Sequence, residues 1–278
     1  MWKNLALNVA DNNFSISVYN RTFSKTEAFL AENTAYENLH WFETLEDFVA
    51  SLEKPRKIML MVKAGKWTDA VIEQLTPLLE KWDIIIDGGN AHWQNSIRRA
   101  GQLAEHYIHF IWSGVSGGEE WARHWPSLMP GGDLEAYESI RPIWEAIAAK
   151  DFKWNPCTTY VGKSSAGNFV KMVHNGIEYG IMQAIAETYD ICSISGYTNE
   201  MIHEVFSQLN QGPLESFLLE ITTNIFTHKD PEDPEEHLID SIIARAKSKW
   251  TSGWTDQSAN DHGVPVPTIS EALRARKM

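Results

Sequence analysis

Short apolar runs alternate with helical periodicity in the N-terminal part of the chain. Runs at 15–20, 57–62, 84–87, 108–112 and 158–162 are nearly continuous in apolar residues, which predicts strands buried on both faces. Between them, apolar residues recur at helical spacing over 4–11, 25–32, 68–81, 96–105 and 134–149. Strands and helices in alternation predict an α/β domain built on a doubly wound parallel sheet. After Gly162 the strand signal stops. The remaining pattern predicts helices alone, over 165–193, 199–209, 214–227, 235–247 and 268–276, with an acidic, Pro-containing loop at 231–236. Two domains are expected, 1–164 with the sheet and 165–278 all-helical.

One predicted helix breaks the usual amphipathic pattern. In Lys171-Met-Val-His-Asn-Gly-Ile-Glu-Tyr-Gly180, a step of about 100° per residue puts Lys171, His174, Asn175 and Glu178 on one narrow face. Phe169, Met172, Val173 and Ile177 lie mostly on the other sides. Such a stripe has two readings. Exposed, it is an ordinary i, i+3, i+4 surface with an ion pair. Buried, it is a lysine and a glutamate whose protons can be exchanged with a substrate.

Composition narrows the classes. Lys and Arg total 24 against 37 Asp and Glu, a formal charge of −13, which argues against a nucleic-acid or anionic-membrane surface but not against a local anion pocket. Cys157 and Cys192 are the two cysteines; they suit a reducing compartment and offer no metal-ligand spacing. No apolar run has bilayer length and no signal peptide is recognisable, so a soluble cytoplasmic protein is expected.

Three strand exits carry candidate binding chemistry. Residues 84–90 run from a strand into a Gly-Gly turn ending on Asn90; residues 113–118, Ser-Gly-Val-Ser-Gly-Gly, read as a second such turn with hydroxyls and free N–H groups. Residues 17–22 end a third strand on Asn20-Arg-Thr22, where an Arg suits the 2′-phosphate of NADP. Each alone reads equally well as a plain surface turn.

Together these segments resemble decarboxylating 6-phosphogluconate dehydrogenase. The likeness is carried in order by Asn20-Arg-Thr22, Met61-Val-Lys-Ala-Gly65, Asp87-Gly-Gly-Asn90, Gly114-Val-Ser-Gly-Gly-Glu-Glu120, Pro126-Ser-Leu-Met-Pro-Gly-Gly132 and the ten residues from Lys171 to Gly180. The resemblance implies a Rossmann-type domain and NADP-dependent oxidation of 6-phospho-D-gluconate, with loss of CO2 to give ribulose 5-phosphate. By position, Lys171 is implied as the base and Glu178 as the acid. Asn90, Ser116, Gly117, Gly118, His174, Asn175 and Tyr179 are implied to hold the sugar acid, and Lys249, Thr251 and Arg276 its phosphate. Asn20, Arg21, Thr22, Val62, Lys63, Ala64 and Asn90 are implied to line the NADP site. No metal is implied, and a homodimer is. A second reading is a relative without turnover that binds sugar phosphates.

The chain also departs from the family pattern. Met1 aligns within the first helix, so the first strand and nearly all of the Gly-rich pyrophosphate loop are expected to be missing, as are the last helices and tail after Arg276. Without that central strand, open edges are expected beside 15–20 and 57–62, unless the remaining strands close the gap. Seven of the 12 tryptophans, Trp2, Trp67, Trp82, Trp112, Trp121, Trp125 and Trp250, stand where the pattern has Gly.

Overall fold

A computed structural model describes residues 1–243, 246 and 250–276. It divides into two compact units, Met1–Lys171 and Met172–Met278. The first opens with α1 (Trp2–Asp11), β1 (Ile16–Val18), α2 (Phe23–Ala31), β2 (Leu39–Trp41), α3 (Leu45–Ala50), β3 (Lys57–Leu60) and α4 (Lys66–Leu75). It continues with β4 (Ile84–Asp87), α5 (Trp93–Ala104), β5 (His109–Ser116), α6 (Gly118–His124), β6 (Ser127–Gly132) and α7 (Leu134–Ile147). The long α8 (Ala166–Ile194) begins in the first unit and runs on into the second. After it come α9 (Asn199–Leu209), α10 (Phe217–Ile225), α11 (Leu238–Ser241), α12 (Trp250–Asp261) and α13 (Pro267–Ala275).

The strands form two sheets. β3, β4 and β5 pair in parallel, with β6 antiparallel at the far edge, and β1 pairs with β2 alone. The remaining strands therefore do not close the expected gap: among the described residues, one edge of β1 and one edge of β3 stay unpaired. Antiparallel β6 corrects the all-parallel expectation. It returns from β5 through the short α6, and both strands are rich in the small residues that allow such tight pairing. The run at 158–162 is not a named strand: it makes one parallel bridge, Thr158 to Leu128, and runs beside β6, where the Val161 N–H donates to the Pro130 carbonyl and the Gly132 N–H to the Gly162 carbonyl. Residues 113–116, expected as a turn, extend β5 instead. Ser113 is fully buried and its Oγ accepts from Trp144 Nε1 at 2.7 Å, so it anchors the core.

Ile84, Ile86 and Ile111 pack under Ile140 and Trp144 of α7 on one face. Ile58, Ile85 and Phe110 pack against Phe48 and Leu75 on the other. The β4 exit is held by a buried ionic knot. Arg99 of α5 reaches Asp87 Oδ2 at 3.2 Å, Asp69 Oδ1 at 2.8 Å and the Gly65 carbonyl at 3.0 Å. Asp87 Oδ1 accepts the Gly89 N–H at 2.9 Å, which fixes the Gly-Gly turn. Burial pushes the Asp87 carboxyl up to about 6, against the pull of the Gly89 N–H and the Arg99 guanidinium.

The first turn of α8 lies directly on the sheet. A Cβ on Gly167 would meet the Met129 carbonyl oxygen at 2.5 Å, that of Trp112 at 2.8 Å and the Gly131 N at 2.9 Å. All three are backbone atoms that cannot swing away. Gly167→Ala is therefore expected to destabilise the protein by about 2–3 kcal/mol in urea unfolding. Gly101, inside α5 with nothing within 4 Å of its Cβ position, gives the contrast: Gly101→Ala is expected to stabilise by about 0.5–1 kcal/mol.

Asp87 yields a pH signature. Its folded-state pKa is raised, so its contribution to stability is complete below about pH 4 and lost as the pH climbs through 6. Acidification from pH 7 to 4 is expected to stabilise the native chain relative to Asp87→Asn by on the order of 2–3 kcal/mol. Urea unfolding of both proteins across that range measures it, and a pH-independent difference would exclude the effect.

Candidate functional site

In the first unit, the residues singled out by sequence gather at strand exits. β3, β4 and β5 run parallel, so the segments that follow them emerge along one edge of the sheet, where open α/β sheets bind ligands. Val62, Lys63 and Ala64 follow β3 and lead into Gly65, whose φ of 92° turns the chain into α4. The β4 turn packs against this segment: a Cβ on Gly89 would lie 3.2 Å from the Val62 carbonyl oxygen. Trp112 Nε1 donates to the Gly89 carbonyl at 2.8 Å from β5. Asn90, next along, is exposed. At the β5 exit, Gly117 and Gly118 take φ values of 118° and 73°, which only glycine adopts cheaply, and Ser116 is the last strand residue.

Lys171 is brought to this edge by close backbone packing. It is buried, and the Cβ position of Gly114 in β5 lies only 3.0 Å from Lys171 Cβ. One turn earlier Asn168, also buried, donates through Nδ2 to the Ala91 carbonyl at 3.2 Å, tying α8 to the turn that presents Asn90. Asn168 Oδ1 is buried without a partner among the described residues. Sequence reasoning missed Arg99 as a structural partner of the site, since it belongs to no motif, and took Asn168 only as a departure from the family pattern. The start of the helix departs from the amphipathic rule in part. Lys171 is buried, whereas Phe169, Val170, Ile177 and Ile181 are exposed. Of the polar stripe only Lys171 is buried; His174, Asn175 and Glu178 are half-buried.

The turn after β1 shows what the cofactor side offers. Asn20 Oδ1 accepts the Thr22 N–H at 2.9 Å, a local turn that leaves Arg21 exposed. The Arg21 guanidinium lies 5.6 Å from the Trp67 ring centre, across from the start of α4. An exposed guanidinium at a strand exit, braced by an aromatic face, fits a phosphate monoester such as the 2′-phosphate of NADP.

In the second unit, α8 carries the other half of the stripe. His174 Nδ1 lies 3.4 Å from Glu178 Oε2 and 3.3 Å from Asn175 Oδ1. Asn175 Nδ2 donates to Thr251 Oγ1 at 3.2 Å, and Ser252 Oγ donates to the Asn175 carbonyl at 3.3 Å. The Arg276 guanidinium sits 4.1 Å from the centre of the buried Tyr179 ring. Thr251 and Arg276, far apart in sequence, thus meet adjacent positions of α8. No element is expected over 248–267 from the sequence pattern, but Trp250–Asp261 is α12, so Thr251 sits in a helical first turn. Packing explains the helix: Thr255 fills the space over Gly176, whose Cβ would meet it at 2.8 Å, and donates to the Met172 carbonyl. Lys249 lies outside the described residues. The helix expected over 235–247 is reduced among the described residues to α11, and part of that range lies outside them.

The tryptophans divide. Trp82 has a φ of 76°, the backbone state that a glycine position would supply. Trp112 is a fully buried core residue whose ring covers Gly114. Trp67, Trp125 and Trp250 are exposed.

Comparison with known proteins adds to this geometry. Residues 1–162 match the family model described as the NAD binding domain of 6-phosphogluconate dehydrogenase, and residues 167–278 match that of the 6-phosphogluconate dehydrogenase C-terminal domain. The NADP(+)-dependent, decarboxylating 6-phosphogluconate dehydrogenase of Bacillus subtilis is 54% identical over 99% of this chain, and that of Escherichia coli, also decarboxylating, is 48% identical over 99%. The chain spans 58% of the length of each of these two relatives. A solved 6-phosphogluconate dehydrogenase of Plasmodium falciparum, described in apo form, with its cofactor NADP+ and with its substrate 6-phosphogluconate, superposes with a TM-score of 0.94 at 43% identity. That match covers 100% of this chain and 59% of the other. Both parts of the chain match models of one enzyme, in order and nearly end to end, and the chain belongs to the 6-phosphogluconate dehydrogenase family.

Proposed function

We propose that this chain serves the NADP-dependent oxidative decarboxylation of 6-phospho-D-gluconate to ribulose 5-phosphate and CO2. The observation that carries the reading is Lys171, buried over Gly114 near the start of α8, where Phe169, Val170, Ile177 and Ile181 are exposed instead. Bound NADP supplies a hydride acceptor for C3 of the sugar acid. Lys171 Nζ, neutral when it acts, takes the C3 hydroxyl proton as the C3–H bond breaks. The lysine, now cationic, polarises the resulting carbonyl while the C–C bond to the carboxylate breaks and CO2 leaves. The Glu178 carboxyl then delivers a proton to the carbon that lost CO2, and His174 pairs with that carboxylate. Asn90, Ser116, Gly117, Gly118, Asn175 and Tyr179 hold the sugar acid in this reading. Thr251 and Arg276, with Lys249, take its phosphate. Asn20, Arg21, Thr22, Val62, Lys63 and Ala64 hold the cofactor. A homodimer and a cytoplasmic setting go with it.

The unpaired edges of β1 and β3 favour one alternative, a sugar-phosphate binder without turnover. Lys171→Met separates the two. Under the proposed function, kcat is expected to fall by about 10^2–10^4-fold, while 6-phosphogluconate binding by calorimetry weakens only modestly. Turnover within tenfold of the unmodified protein would remove Lys171 from the base role, and no turnover in the unmodified protein would leave the alternative.

Arg21→Ala tests the cofactor side. Loss of a charge-assisted contact worth about 1.5–3 kcal/mol is expected to raise the KM for NADP by about 10–100-fold. The KM for 6-phosphogluconate is expected to stay unchanged in the same steady-state assay.

A further inference from the structure

We infer that a pocket at the far edge of the first unit's larger sheet binds an aromatic carboxylic acid. β4 begins at Ile84 and β5 at His109, so this edge is opposite the one that presents Asn90 and Ser116. β5 is eight residues long, so about 23 Å separates His109 from Ser116 at 3.3 Å per residue. The pocket has a volume of about 560 Å³, within the range of small-molecule sites. It lies between Ala100 and Ala104 of α5 and residues 163–164, which lead into α8. All of its lining residues belong to the first unit, and none is a residue that the proposed function uses.

Rings supply one part of the recognition. Trp82 and Tyr107 line the pocket, each more than half exposed, and the Trp82 N–H donates to the Tyr107 carbonyl at 2.8 Å, which holds the two together. The Trp82 ring centre lies 6.3 Å from that of Tyr107, at 65°, and 5.6 Å from that of His109, at 35°. Three π systems on one pocket favour a flat ring that can stack on them or meet them edge-on. Backbone strain collects here as well: Trp82, Tyr107 and Ser164 are three of the five non-glycine residues with positive φ among the described residues. Charge supplies the other part. The carboxylate of Asp133 is already engaged, for Oδ1 accepts the Ala136 N–H at 3.0 Å and Oδ2 lies 3.1 Å from His109 Nδ1. Lys163 and Ser164 are exposed, and neither side chain makes a hydrogen bond or ion pair among the described residues. Lys81 adds a second cation, its Nζ 4.3 Å from the centre of the Tyr107 ring. The polar groups left to a ligand are thus an ammonium and a hydroxyl, which favour an anion. An aromatic cation would meet Lys81 and Lys163 as like charges, and an aliphatic acid would forgo the rings. One lining ammonium, with the Asp133 carboxylate nearby, suits a single negative charge, so a carboxylate fits better than a phosphate dianion.

The test is an NMR titration of the full chain with 2-naphthoate, read at the amides of Phe110, Leu134 and Ser164. Those amides are expected to shift with a Kd on the order of 0.1–1 mM, the range open to a ligand of this size. Trp82→Gly removes a ring and leaves a backbone that suits glycine, and Lys163→Met removes the charge from an exposed side chain. Each is expected to weaken binding by about fivefold or more, and Arg21→Ala, on the candidate cofactor side, to leave it unchanged. 2-Naphthamide, which lacks the charge, and cyclohexanecarboxylate, which lacks the aromatic ring, are expected to bind more weakly by the same factor. Either compound binding as tightly as 2-naphthoate would overturn the inference, and so would tighter binding of 2-naphthyl phosphate. Unchanged affinity in either pocket variant, loss of binding in Arg21→Ala, or no shift at the three amides up to about 10 mM would also overturn it. None of these readings uses turnover, so the outcome stands apart from the proposed activity.

Discussion

The candidate site depends above all on backbone lying against backbone where α8 meets the sheet. Gly167 touches the carbonyl oxygens of Met129 and Trp112 and faces Gly131 at separations that leave no room for a side chain. Interiors are packed densely enough that such a contact fixes position to a fraction of an ångström. Gly114 repeats it one turn further on, directly under Lys171. The lysine is held by the helix it belongs to, and the helix is held by glycines. A long cationic side chain has many rotamers to lose on ordering, so a rigid origin for its first carbon is the part of the cost that the fold can reduce.

A second constraint works on charge. The exits of β3 and β4 would splay apart as ordinary loops. Arg99 joins them by bonding the Gly65 carbonyl, Asp69 and Asp87 at once, and Asp87 in turn closes the Gly-Gly turn on Gly89. Taking these charges out of water opposes folding, as the raised Asp87 pKa records. The knot is better understood as a device for turn geometry than as a source of stability. With Trp112 donating to the Gly89 carbonyl, the turn carrying Asn90 is pinned from both neighbouring strands.

Much of this was legible in the chain. Apolar runs flanked by turn residues gave β1, β3 and β4, and helical periodicity gave α1, α5, α7, α8 and α9 to within a few residues. The elements that escaped carry little pattern of their own. β2 is three residues, Leu-His-Trp, with one buried position, and β6 reads Ser-Leu-Met-Pro-Gly-Gly, whose Pro and Gly argue against a strand. Tertiary pairing with β5 outweighs that propensity. In α12 the buried positions are Thr and Ser rather than leucines, because they face Gly176 and the backbone of α8, so no apolar period exists to find. The site residues were legible only through family motifs. Arg99 belongs to none, and its role shows only in the folded turn.

The open edge does not bear equally on all parts of the first unit. β4, β5 and β6, with α8 seated on the last two, form a continuous ladder away from the unpaired edges, and Asn90, Ser116 and Lys171 all depend on it. Arg21 depends instead on β1, which has a single three-residue partner. Two-stranded sheets of that size are marginal on their own. This one is kept by side-chain ties around it: Phe29 packs under α1, Asn38 donates to the Ala10 and Phe14 carbonyls, and Asp11 joins Arg123 and Tyr36.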